Sequence, residues 1–94
     1  MSKAKRASDE GLWRAARAVT SLKYAHEALV RVMPAPDADP AVRRTFFLRS
    51  ADVYARVAEI DRGHHHEALY WAKREREKGE AIDAGRAGDR GADR

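Results

Sequence analysis

The chain has 94 residues, with 19 Lys and Arg against 15 Asp and Glu and no cysteine. This length accommodates one domain burying about 60–65% of its unfolded surface, and the missing thiols exclude disulfides and thiolate metal or redox sites. The net charge of +4 is mild, no apolar run is long enough to span a bilayer, and the basic start Met-Ser-Lys-Ala-Lys-Arg leads into Asp9-Glu10 rather than a signal core, so a cytoplasmic setting is expected.

Residues 1–8 read as a disordered basic tail. Ser8 or Asp9 can cap a first helix over about 9–33. Its stripe is Leu12, Ala16, Val19, Lys23, His26 and Val30, widened by Ala15, Leu22, Leu29 and Met33. Pro34 ends it, because the residue before proline is pushed out of the α region. Pro34–Pro40 holds three prolines and forms a stiff connector, and Asp39-Pro40 is a start signal: a capping carboxylate, then proline at the first helical position.

The second helix is expected over about 40–61. Val42, Phe46, Val53, Val57 and Ile60 share one face, and Phe47, Ala51, Tyr54 and Ala58 the adjacent one. An apolar arc of about half the circumference faces two neighbours, which makes this helix central. Arg62-Gly63 is the break, with Gly63 free to take the left-handed conformation. A third helix over about 64–82 carries His65, Ala68, Leu69, Ala72 and Gly79, flanked by Trp71 and Ile82. The run Lys73–Lys78 reads as solvated, and 83–94 as a disordered tail without large apolar side chains. The fold expected is therefore all-α: a three-helix antiparallel, up-down-up bundle over 9–82 with disordered ends.

Three of the four histidines are consecutive at His64, His65 and His66, next to Tyr70 and Trp71. Metal ligands on a helix need spacings of three or four to converge, and neighbours diverge by about 100°, so the triplet is not a metal site and no cofactor is expected. In an up-down-up bundle the start of the first helix would bring Asp9, Glu10 and Trp13 to the same pole. A carboxylate there would raise a histidine pKa and make the pole pH-sensitive. Trp13, Tyr70 and Trp71 fall outside or beside their helix stripes. Such aromatics are either interface anchors or members of a wider core. The partner-binding candidates are thus Trp13, His64, His65, His66, Tyr70 and Trp71.

Residues 1–33 carry seven basic against three acidic side chains. Lys3, Lys5, Arg6, Arg14, Arg17, Arg43 and Arg44 are the candidates for phosphate contacts in an alternative, nucleic-acid-associated role. The segment His64–Leu69 makes a poor recognition helix. There is no phosphate loop, no catalytic triad order and no cysteine nucleophile, so no enzyme is expected.

Two resemblances add to this reading. Gly63 at the turn and Glu67-Ala68-Leu69 in the following helix make residues 51–72 resemble a tetratricopeptide-type helical hairpin, with His65 where that family has an aromatic. The first helix lacks the family's close-packing glycine, and one unit is fewer than the about three that repeats need. Residues 33–72, with Asp61-Arg62-Gly63-His64-His65-His66-Glu67-Ala68-Leu69-Tyr70-Trp71-Ala72, resemble a group of short actinobacterial helical proteins, which implies a bacterial cytosolic setting and no particular activity. The function expected is a small non-enzymatic interaction or regulatory module whose partner is another protein or a second copy of the chain.

Overall fold

Val19, Thr20 and Ser21 break what the periodicity reads as one first helix. The computed structural model describes the backbone of residues 2–92 and the side chains of residues 9–85. Within it α1 spans Ser2–Ala18, α2 Leu22–Val32, α3 Pro40–Ile60 and α4 His65–Ala92, with a 3₁₀ turn at Arg62–His64. The all-α class stands, and four helices replace the expected three. The reason lies in two backbone groups. A continuous helix would pair the Val19 carbonyl with the Lys23 N–H and the Leu22 N–H with the Ala18 carbonyl. Instead Arg56 Nη1 donates to the Val19 carbonyl at 2.6 Å, and the Leu22 N–H donates to Asp61 Oδ2 at 2.9 Å. Ser21 is extended (φ −138, ψ 154) and caps α2, its Oγ accepting from the Tyr24 N–H at 3.3 Å.

Asp39 caps α3 as expected, accepting from the Ala41 N–H at 3.2 Å, with Pro40 in the first turn. Gly63 does not take a left-handed conformation: no described residue has positive φ, and the chain reverses through Asp61 (φ −90, ψ 74) and the 3₁₀ turn. The bounds of α1 and α4 take in 2–8 and 83–92, which the sequence reading sets as tails. Lysine, arginine and alanine in 2–8 are good helix formers; 83–92 has three glycines, and its extension rests on adding a residue to an existing helix being far easier than nucleating one. Residues 93–94 lie outside the described residues.

Successive helices alternate in direction. Leu22 sits beside Asp61, His26 beside Tyr54 and Trp71, and Met33 beside Val42 and Phe46, so α2 runs antiparallel to α3. Trp13 beside Phe46 and Val19 beside Arg56 set α1 parallel to α3. The most extensive helix pair is α3 with α4. Its seam is built from small side chains: Ala51, Ala58, Ala68 and Ala72 are buried, and so is Gly79. Larger groups close the core from the other helices, with Trp13, Leu22, Leu29, Phe46, Val53, Tyr54 and Val57 buried.

The break also shifts the phase of the first stripe. The buried face of α2 is Leu22, Ala25 and Leu29, and Val30, expected inside, is 64% exposed. Val42, Ile60 and Leu69 were likewise expected in the core and are exposed. Among the described residues no helix is long and apolar enough to cross a membrane.

Gly79 marks the closest approach in the hairpin. A Cβ built there would lie 2.7 Å from Leu48 Cδ2 and 3.0 Å from its Cγ, whereas one at Gly85 would meet nothing within 4 Å. Overpacking a tight seam costs about 1–3 kcal/mol, while removing glycine from an open helical position gains up to about 1 kcal/mol. Urea unfolding followed by circular dichroism should show Gly79→Ile destabilised by that first amount and Gly85→Ala at least as stable as the parent.

Candidate functional site

The Asp61 carboxylate organises the turn that the histidines occupy. Its Oδ2 accepts the Leu22 N–H and, at 2.9 Å, the Nδ1–H of His64. Its backbone N–H closes α3 on Val57, and its carbonyl accepts the His64 N–H. The bond from Leu22, then that from His64, hold its carboxyl below the ordinary aspartate value of 3.8. His65 is half-buried, and its Nδ1–H donates to the Ala58 carbonyl at 2.7 Å. With Nδ1 protonated for that bond, Arg62 Nη1 at 3.1 Å has no lone pair to meet there, and the shorter contact to Ala58 decides the tautomer. His66 is exposed, with its ring 5.2 Å from that of His65. The histidines therefore brace a helix junction. Among the described residues no group of three His, Asp or Glu could hold a metal ion.

His26 joins an aromatic cluster between α2, α3 and α4. His26 Nδ1 and the Tyr54 hydroxyl share a hydrogen bond of 2.7 Å. Trp71 meets His26 edge-on at 5.1 Å and stacks on Tyr54 at 6.0 Å, and Tyr70 packs edge-on against Trp71 at 5.5 Å. Burial, then the nearby Glu75 carboxylate, push the Tyr54 hydroxyl up to about 12, so it stays protonated throughout the neutral range. Glu75 is itself buried, with Oε2 3.3 Å from Lys78 Nζ. That ion contact lacks the geometry of a hydrogen bond, and neither Glu75 Oε2 nor the buried Ser50 Oγ has a hydrogen-bond partner. Trp71 is thus a half-buried member of the core, while Tyr70 stays 56% exposed.

Trp13 does not join the histidines. It is 7% exposed, its ring 6.1 Å from that of Phe46. Phe46 precedes Asp61 by fifteen residues, which is about 22 Å along a helix. Asp9 is likewise remote from the turn, lining a groove with Met33, Val42 and Phe46, and Glu10 approaches Arg49. The expected single pole is corrected to two separate places: histidines and Tyr70 at the α3–α4 turn, and Trp13 against the first half of α3. The parallel course of α1 and α3, which follows from the break at 19–21, separates them.

The basic candidates are divided as well. Arg17 opens onto a slot between α1 and α3 with Arg49 and Arg56, and Arg14 is exposed on α1. Arg43 faces Phe47, Lys78 and Ile82 on the α4 side, and Arg44 is tied to Asp83 at 2.8 Å. The side chains of Lys3, Lys5 and Arg6 lie outside the described residues.

Sequence reasoning missed Glu75, Arg49 and Arg56. Positions 65, 68, 72, 75 and 79 keep one helical stripe, so the spacing pointed inward at Glu75 while its charge suggested water. Arg49 and Arg56, seven apart, share a face of α3 in the same way. Comparison of the chain with protein-family models, with curated proteins and with solved structures returned no match.

The depressed Asp61 pKa fixes the sign of an acid dependence. Its contribution to stability is present above about 3.8, the unfolded value, and is lost as pH falls through the lower folded value. Urea midpoints measured from about pH 5 to about pH 2 should fall for the parent, and fall less steeply for Asp61→Asn, which keeps an acceptor but cannot titrate.

Proposed function

We propose that the chain is a non-enzymatic protein-interaction module in a cytoplasmic setting, taking an apolar segment of a partner protein in the groove between α1, the end of α2 and the start of α3. One observation carries this reading. Met33 and Val42, 59% and 52% exposed, rim an open groove of about 670 Å³ that reaches Phe46 and Trp13. Large apolar groups gathered around a concavity mark a contact surface rather than a solvated one. The groove is open, and among the described residues its only charged lining groups are Asp9 and Arg31, not the convergent polar set of an enclosed small-molecule site.

The reading keeps Trp13 as a partner-facing residue through its place in the groove. His65 and Trp71 serve packing, and His64, His66 and Tyr70 form a second exposed patch at the α3–α4 turn. The nucleic-acid alternative needs its basic residues on one surface, and Arg17 and Arg43 stand on different sides of α3.

The test is differential capture by the immobilised chain and its Met33→Glu/Val42→Glu variant. Both positions are exposed, so the variant should keep the parent's helicity. A protein retained by the parent and lost with the variant is the expected result. Equal retention by both places the contact elsewhere and overturns the groove.

A further inference from the structure

Arg49 and Arg56 lie two turns apart on one face of α3, and Arg17 meets them from α1. Between them is a slot of about 360 Å³, completed by Trp13, Asp52 and Val53. Two of the three guanidiniums are held in place. That of Arg49 lies 5.3 Å from the centre of the Trp13 ring, and Arg56 Nη1 donates to the Val19 carbonyl. A guanidinium has five N–H donors, so each retains most of them for a ligand. The nearest carboxylate to Arg49, that of Glu10, is 3.9 Å away, beyond hydrogen-bond reach. A planar guanidinium is suited to a carboxylate held by two parallel bonds.

We propose that this slot receives a short acidic segment of the partner protein, with carboxylates on Arg17, Arg49 and Arg56. The inference rests on the protein-interaction reading and names the chemistry of the partner. One feature selects a peptide over a nucleic-acid backbone. Asp52 in the slot and Glu10 beside Arg49 interleave negative charge with positive. A continuous row of phosphates would meet both, whereas a peptide can offer N–H donors between its carboxylates.

The test is fluorescence anisotropy with a labelled five-residue peptide, leucine flanked by two glutamates on either side, at physiological salt. The parent should bind it. Arg49→Ala and Arg17→Ala should each weaken binding by at least about tenfold, as truncation of a paired interface arginine does, and Arg43→Ala on the other side of α3 should leave it unchanged. Absence of binding, or an equal loss in Arg43→Ala, overturns the slot in favour of diffuse charge. Tighter binding of an oligothymidylate of the same length assigns the slot to nucleic acid and overturns the peptide. The Met33→Glu/Val42→Glu variant separates the two proposals: peptide binding should persist there, and loss of partner capture in that variant alone, with no peptide bound by the parent, overturns the slot and leaves the groove.

Discussion

One carboxylate ties the two halves of this fold together. Asp61 stands where α3 ends, yet it caps α2, thirty-nine residues earlier, by accepting the Leu22 N–H. The positive end of α2 and the charge on Asp61 attract each other, and the hydrogen bond satisfies a backbone donor that the helix itself leaves unpaired. The same oxygen takes His64, so the α3–α4 turn and the α2 start share one anchor. Arg56 does the complementary task on the other side of the break, satisfying the Val19 carbonyl. Together they let α1 reverse onto α3.

That reversal creates the surfaces on which the functional reading rests. In an unbroken helix Trp13, nine residues before Leu22, would stand about 14 Å past the hairpin turn with nothing to pack on. Folded back, it reaches Phe46 and separates two concavities. One is the groove of Met33 and Val42; the other is the arginine slot. Trp13 lines both: its ring packs on Phe46, and the Arg49 guanidinium lies over it. The α3–α4 hairpin supplies the rigid base, its close approach set by alanines and Gly79.

Much of the helical plan was legible in the sequence, because proline and capping signals act locally. Pro34 ended a helix, Asp39-Pro40 started one, and Arg62-Gly63 lay in a turn, as the residues indicate. The break at 19–21 was not legible. Its local signal is a serine after two β-branched residues, within a periodicity that runs on smoothly. What decides it are partners thirty-seven and thirty-nine residues away. The error propagated: with one long helix the bundle had three members, Trp13 joined the histidines, and Val30 faced inward. Glu75 was hidden for the opposite reason, since its spacing placed it inside while its charge placed it in a solvated run. The site residues divide along the same line. Tyr70, His64 and His66 were found exposed where a local reading put them, and Trp13 and the arginines were relocated by long-range contacts.

The most direct test of the Asp61-anchored reversal is a nuclear Overhauser measurement on the isotope-labelled chain. The account predicts cross-peaks between the Trp13 indole and the Phe46 ring, whose centroids lie 6.1 Å apart, together with extended-backbone shifts at Ser21. Helical connectivities running unbroken from Ala18 to Lys23, with no contact between Trp13 and Phe46, would contradict it.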